Sequence, residues 1–311
     1  MSTNPNLAIV FPGQGSQSLG MMNRVIELHP DITETFTTAS DILGYDLLEV
    51  IISDHEEKLN QTEITQPALL TSAYATWLIL KEVSDLLPTV LSGHSLGEYT
   101  ALVCAGVITF EDAVALVAER GRCMQKAVPP DAGAMAAILG LNDEQVIQVC
   151  TDTAENEIVS AANFNSPGQV VIAGHKLAVE RAINAAKDAG AKRAMLLPVS
   201  VPSHCMLMKD AADEFSAVLN NITFSNAEIP VLQNVDAIVK SKSDEIIPAL
   251  LEQLYKPVRW TDSINTMKGM NITKIVECGP GKVLSGLIKR IDRSLETVYI
   301  QDEESLEKAL G

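Results

Sequence analysis

Short apolar runs alternate with longer helical patterns at both ends of this chain. The runs Leu7–Phe11, Val90–Ser92 and Lys274–Cys278 each stop at a glycine-containing turn, and each predicts a buried strand. The intervening patterns predict helices at about 21–28 and 31–43, from Pro67 to Lys81, and from Val283 to Ile291. Short strands that alternate with longer helices are typical of a parallel α/β sheet.

The middle of the chain follows a different order. It predicts, in sequence, a strand at 134–140, a helix at 143–151, strands at 158–163 and 169–173 around a turn at 165–168, a helix at 177–189 and a strand at 193–199. The order β-α-β-β-α-β within about 70 residues is that of a ferredoxin-like unit. An insert of this kind leaves the larger domain discontinuous. We therefore expect an α/β domain of residues 1–128 and 200–311, a subdomain of residues 129–199, and a ligand cleft between them.

The pentapeptide Gly-His-Ser-Leu-Gly occupies residues 93–97, between a predicted strand and a helix-prone stretch at 98–103. This is the context in which the pattern Gly-x-Ser-x-Gly forms a nucleophile elbow, because the glycines permit a sharp turn and close packing of helix on strand. Ser95 would then present its hydroxyl beside the amides of a helix start, which stabilise negative charge. A chance pentapeptide in a loop is the alternative. The flanking elements favour the nucleophile, so the chain is predicted to be an acyl-transfer enzyme.

A serine hydroxyl needs a base to remove its proton, and the chain has five histidines. His29 lies at a helix end, and His55 lies in an acidic surface run. His94 adjoins the serine on a sharp turn, where neighbouring side chains point apart, so we expect it to line the pocket. His175 stands at a strand end, in a capping or packing position. His204 follows the last strand of the middle segment and borders the predicted cleft, so it is the candidate base, with a structural histidine as the alternative.

The remaining parts of a serine site are less evident in the sequence. No Asp or Glu stands out in a strand-end loop between Ser95 and His204, but a backbone or amide oxygen can orient the imidazole instead. An oxyanion hole needs two donors. The Leu96 amide, directly after the serine, is one candidate, and the glycine-rich loop around Gln14 can supply the other. That loop has Ser18 where a dinucleotide fingerprint has its third glycine, and a plain βα turn is the alternative interpretation.

One arginine lies on the apolar face of a predicted helix. Over residues 111–126, an advance of 100° per residue places Arg120 opposite the charged face, among alanine, leucine, valine and methionine. A buried arginine needs a partner, because an unpaired buried charge costs several kcal/mol. That partner can be a nearby acid in a structural ion pair. The functional alternative is a substrate carboxylate held by the guanidinium.

Composition and charge narrow the class of protein. The chain has 311 residues, 47% of them hydrophobic, enough for a large core in one or two domains. Its net charge of −17 opposes bulk attraction to nucleic acid or to anionic membranes. No apolar run approaches the roughly 18 residues of a membrane helix, and the first residues lack a secretory signal pattern. The five scattered cysteines indicate reduced thiols in a cytoplasmic protein, with neither a zinc site nor a disulfide framework.

Taken together, the motifs resemble the malonyl-CoA:acyl-carrier-protein transacylase family of bacterial type II fatty acid synthesis. The resemblance is carried, in the family's order, by residues 11–17, 93–98, 120–121, 133–137, 201–204 and 279–284. It implies an α/β-hydrolase-like large domain with a parallel sheet and an inserted ferredoxin-like subdomain. It further implies a ping-pong reaction in which the malonyl group passes from malonyl-CoA to a serine and then to the phosphopantetheine thiol of acyl carrier protein. No metal and no cofactor of its own is expected.

The resemblance also assigns roles to particular residues. Ser95 would be malonylated, with His204 as the general base and the main-chain carbonyl of Gln253 orienting its imidazole. Arg120 would hold the malonyl carboxylate. The remaining positions are the oxyanion amides of Gln14 and Leu96, and His94 and Asn163 in or beside the pocket.

Both proposed partners, CoA and acyl carrier protein, are anionic, as is this chain. Local basic residues must therefore overcome a repulsive background. The candidates are Lys192, Arg193, Lys289 and Arg290, for which an ordinary solvated surface is the alternative interpretation.

Two other functions share parts of this pattern. A serine thioesterase or esterase would use the same Ser–His pair with water as the acceptor. A non-catalytic scaffold could keep the fold, but Ser95 and His204 argue against it. The arginine on an apolar face and the missing triad acid favour the transferase.

Overall fold

The computed structural model describes residues 4–129, 131–199, 201–300 and 303–310. The strands are β1 Asn4–Phe11, β2 Pro88–Gly93, β3 Gly133–Leu139, β4 Val159–Ser166, β5 Gln169–His175, β6 Arg193–Leu196, β7 Val231–Leu232, β8 Val239–Lys240, β9 Lys274–Glu277 and β10 Glu296–Tyr299. The helices are α1 Asn23–Leu28, α2 Thr33–Leu43, α3 Leu47–Ile52, α4 Thr62–Glu82, α5 Gly97–Cys104, α6 Phe110–Lys126, α7 Asp143–Ala154, α8 Lys176–Asp188, α9 Lys209–Leu219, α10 Ser243–Tyr255, α11 Trp260–Gly269, α12 Val283–Ile291 and α13 Glu303–Leu310.

The larger sheet has six strands in the order β10-β9-β1-β2-β7-β8. All neighbouring pairs are parallel except β7 and β8, which form an antiparallel hairpin at one edge. Alternate side chains of β1 enter different cores: Ile9 and Phe11 pack on one face of the sheet, and Ala8 and Val10 pack on the other. Helices therefore cover both faces, as a buried parallel sheet requires. The predicted α/β class with a parallel sheet is confirmed.

The smaller sheet is formed by β3, β4, β5 and β6 in the order β4-β5-β3-β6, with every pair antiparallel. Helices α7 and α8 pack on one of its faces. The predicted β-α-β-β-α-β order is confirmed, and all four strands lie within the segment 129–199. The limits of the two domains stay a prediction, and Ser200, at one of them, lies outside the described residues.

Several predicted boundaries were wrong. Helix α7 ends at Ala154 and not at residue 151. Helix α4 begins at Thr62, before Pro67. Most of its residues are buried, and this packing offsets the loss of the one backbone hydrogen bond that a proline removes. Strand β4 continues to Ser166, so its hairpin with β5 turns at 167–168 only. Strand β6 ends at Leu196, before the predicted residue 199.

The segment around the nucleophile has two positions, Gly93 and Gly97, where close packing leaves no space for a side chain. A Cβ atom on Gly97 would lie 2.1 Å from the Phe11 carbonyl oxygen of β1, and one on Gly93 would lie 1.9 Å from the Gly97 carbonyl carbon. Helix α5 therefore starts in contact with both β1 and β2. Within the described residues, no helix is both long and apolar enough to span a membrane.

Candidate active site

Ser95 occupies the sharp turn between β2 and α5. Its backbone has a φ of +53°, in the left-handed region that residues other than glycine rarely adopt. His204 has a φ of +63°. Such conformations persist only where the surroundings enforce them, and they are concentrated at functional sites.

The two side chains meet although 109 positions separate them in the chain. Ser95 Oγ lies 2.8 Å from His204 Nε2, and His204 Nδ1 lies 2.6 Å from the main-chain oxygen of Gln253. Since that carbonyl can only accept, Nδ1 carries the proton and Nε2 is left to accept the serine proton. A backbone oxygen thus takes the position that an acid holds in a Ser-His-Asp triad.

The environment keeps His204 neutral. Burial, with the positive charge of Arg120 and a small effect of His94 added to it, lowers the pKa of His204 to about 3, against a smaller opposing effect of the Gln253 carbonyl. A histidine with a lowered pKa remains unprotonated, and able to accept a proton, well below pH 6.

Arg120 is fully buried beside the nucleophile. Its guanidinium donates to the side-chain oxygens of Gln66, at 2.8 Å, and Gln253, at 2.9 Å, and one nitrogen lies 3.4 Å from Ser95 Oγ. It also lies over the Tyr99 ring, 5.2 Å from the centroid. These partners are all neutral, so the ion pair considered as the structural alternative is not formed among the described residues. The positive charge therefore remains available to an anion that enters the site.

Seven of the predicted site residues line one cavity of about 290 Å³ between the two sheets: Gln14, His94, Ser95, Leu96, Arg120, Asn163 and His204. Gln253 is not part of the cavity wall but bonds to three of these residues, His204, Arg120 and Ser95. His94 Nε2 lies 2.8 Å from Asn165 Oδ1, and its ring packs edge-on against Trp260. Asn163 belongs to β4, which joins the larger domain through a parallel bridge to Val258.

The four basic candidates are exposed and do not line the cavity. Arg290 nevertheless donates to Gln169, whose side chain is part of the cavity wall. Leu139 pairs with Gln169 on one side and with Arg193 on the other. The pair Lys192 and Arg193 and the pair Lys289 and Arg290 therefore lie near the same end of the smaller sheet, beside the cavity.

The amide of Leu96 makes no hydrogen bond within the described chain, whereas the Ser95 amide donates to Asn234 Oδ1 at 2.6 Å. Leu96 can thus donate to a bound oxyanion, and Ser95 cannot. Gln14 lies on the loop after β1, and a Cβ atom on its neighbour Gly13 would lie 2.2 Å from the His94 carbonyl oxygen. This close approach places the Gln14 loop against the elbow.

Several buried polar residues of the site were not predicted from the sequence: Gln66, Glu98, Asn165, Asn234 and the side chain of Gln253. Glu98 carried a signal, because it stands at the start of an otherwise apolar stretch on α5. Burial raises the pKa of Glu98 to about 8. The others are amide side chains in segments with no distinguishing pattern.

The lowered pKa of His204 predicts the pH dependence of serine reactivity. We expect the rate at which a fluorophosphonate labels Ser95 to stay nearly constant from pH 7 to pH 5, because His204 remains neutral. A histidine with an ordinary pKa of about 6.5 would give a roughly 25-fold fall over that range. Such a fall, measured with the folded fraction checked at each pH, would contradict the assignment.

Known proteins are similar to this chain over nearly its whole length. A model of the acyl transferase domain family matches residues 8–294. The malonyl CoA-acyl carrier protein transacylase of Salmonella typhimurium is 52% identical over 97% of this chain and 98% of that protein. The crystal structure of an acyl carrier protein S-malonyltransferase from Vibrio cholerae superposes with a TM-score of 0.95 at 52% identity, over 97% of this chain and 99% of the other.

A further solved relative is a malonyl-transacylase in complex with its type II PKS acyl-carrier protein. It superposes with a TM-score of 0.96 at 50% identity, over 98% of this chain and 99% of the other. The chain therefore belongs to the acyl transferase family and, within it, to the malonyl CoA-acyl carrier protein transacylases.

Proposed function

We propose that this chain transfers the malonyl group of malonyl-CoA to the phosphopantetheine thiol of acyl carrier protein in fatty acid biosynthesis, through a malonyl ester on Ser95. The observation that carries the substrate assignment is the buried guanidinium of Arg120 beside Ser95 Oγ, with only neutral partners. A malonyl group on Oγ carries its carboxylate within reach of this cation, and such a charge-assisted pair is among the stronger hydrogen bonds in proteins.

In the first half-reaction, His204 Nε2 takes the proton of Ser95 as Oγ attacks the thioester carbonyl. The amides of Leu96 and Gln14 donate to the oxyanion. When the C–S bond breaks, the CoA sulfur leaves and receives the proton from His204. The Gln253 carbonyl holds the imidazole in the tautomer that both proton transfers need.

The second half-reaction reverses these steps with another thiol. The phosphopantetheine sulfur loses its proton to His204 and attacks the malonyl ester, and Ser95 Oγ leaves with that proton. Atoms and charges balance without a metal or prosthetic group, so none is part of the proposal. All five cysteines are free thiols, which fits the reducing cytoplasm in which we place the reaction.

A hydrolase with the same Ser–His pair would differ only in using water as the acceptor. Transfer to a carrier is favoured because a relative that is 50% identical to this chain has been solved with an acyl-carrier protein. We propose that the same kind of partner, and the anionic part of CoA, contact the exposed residues Lys192, Arg193, Lys289 and Arg290. These residues would locally offset the net charge of −17.

Replacing Arg120 by alanine should change substrate preference. The lost charge-assisted interaction is worth about 1.5–3 kcal/mol, so R120A should lower kcat/KM for malonyl-CoA roughly 10- to 100-fold. Acetyl-CoA has no carboxylate and should lose little or improve. The measurement is kcat/KM for both thioesters with the same carrier.

The matched control is R122A, an exposed arginine of the same helix that pairs with Glu119. It should leave both values within about twofold, as expected for a surface ion pair. An equal loss on both thioesters in R120A would return Arg120 to a purely structural role.

Reversing charge at Lys289 and Arg290 should weaken use of the carrier. For K289E and R290E combined, we expect kcat/KM for the carrier to fall about 3- to 10-fold at low ionic strength and to recover towards wild type at about 0.5 M salt, because screening shortens the range of the repulsion. K81E is the control, since Lys81 is exposed near the end of α4 remote from Gln66. Salt-independent kinetics, or an equal effect of K81E, would exclude these residues as contacts.

A further inference from the structure

Asn234, in the turn between β7 and β8, is buried and uses every polar group it has. Its side-chain nitrogen donates to the Gly93 carbonyl and its side-chain oxygen accepts from the Ser95 amide, both at 2.6 Å. Its backbone amide donates to Glu98 Oε2 at 2.7 Å. Three of its hydrogen bonds thus hold one short segment, on both sides of the nucleophile.

The Asn234 side chain donates one hydrogen bond and accepts one, as the two main-chain groups of the elbow require. The chain turns sharply between Gly93 and Ser95, so the Gly93 carbonyl and the Ser95 amide both face Asn234. A primary amide is the side-chain group that donates to one and accepts from the other in a single plane. This bridge stabilises the left-handed conformation of Ser95, which is otherwise unfavourable for residues other than glycine.

The bridge also determines which amide of the elbow stays available. Because Asn234 occupies the Ser95 amide, the next amide, that of Leu96, is the one left to face the cavity. A rotation of the turn would move both this amide and the Ser95 hydroxyl, which must stay near His204.

Asn234 further connects the elbow to the contact between the two domains. Its carbonyl accepts from the Arg259 amide at 2.9 Å. Val258, the residue before Arg259, donates to Ala162 and accepts from Phe164, both in β4. The elbow and the strand that carries Asn163 are therefore linked through one asparagine and one short segment.

We infer that Asn234, anchored by Glu98, is a positioning residue that sets the orientation of the Ser95 hydroxyl and the Leu96 amide for acyl transfer. The inference rests on the proposed function, since the reaction used to test it is the malonylation of Ser95. It assigns neither residue a contact with the substrate.

The test is the pre-steady-state burst of CoA release from malonyl-CoA, in which the amplitude counts competent sites and the rate reports acylation. For N234A we expect the acylation rate to fall about 100-fold per competent site, with KM for malonyl-CoA within about threefold of wild type. The control is Q233A, a neighbour that is equally buried but bonds only to the Val231 carbonyl through its side chain. Q233A should keep the acylation rate within about twofold, even where its Tm falls.

A second pair of variants tests the anchor without touching Asn234. E98Q keeps an oxygen that can accept from the Asn234 amide and should stay within about threefold of the wild-type rate. E98A removes the acceptor and should lower the rate about tenfold. If N234A does not fold, equal rates for E98A and E98Q still overturn the positioning role.

The outcomes separate the two proposals. An N234A rate equal to that of Q233A, a loss of amplitude with an unchanged rate, or equal rates for E98A and E98Q would overturn the positioning role alone. Absence of a burst in the wild type would overturn the proposed function instead.

Discussion

Three hydrogen bonds of Gln253 fix the positions of the active-site groups. Its main-chain oxygen fixes the His204 ring, its side-chain oxygen accepts from Arg120, and its side-chain nitrogen donates to the Ser95 carbonyl at 3.1 Å. One residue near the end of α10 thus sets the base, the cation and the nucleophile relative to one another. Because His204, Arg120 and Gln253 are buried, leaving one of them unpaired would cost the full desolvation free energy, which favours a single arrangement.

Neutral partners suit a site that must receive an anion. An ionised acid beside Arg120 would cancel the charge before substrate arrives. Two glutamine oxygens accept from the guanidinium and leave its charge in place. Burial raises the pKa of the nearby Glu98 carboxyl to about 8, so this acid is mostly neutral at pH 7. Burial, with the same charge added to it, lowers the pKa of His204 and keeps the base neutral. The Arg120 charge therefore contributes both to substrate recognition and to keeping the base neutral. A bound malonyl carboxylate would offset this charge and raise the basicity of His204 as the reaction begins.

The sequence predicted the parts of the site that depend on local spacing. The elbow followed from two glycines around Ser95, the burial of Arg120 from helical periodicity, and the ferredoxin-like order from the alternation of elements in the middle segment. The residues that complete the site come from distant segments and carry no periodic signal. Gln66 lies on α4, Gln253 on α10, and Asn234 follows a strand of two residues, which is too short to show alternation. Only folding brings these amides together.

The central claim is that Ser95 carries the malonyl group between two thiols, and the most direct measurement is mass spectrometry of the protein after incubation with malonyl-CoA. Peptide mapping should find one malonyl group, on Ser95, which disappears when holo acyl carrier protein is added and reappears on the carrier. S95A should acquire no adduct. An adduct on another residue, or one that water removes as fast as the carrier does, would contradict the account.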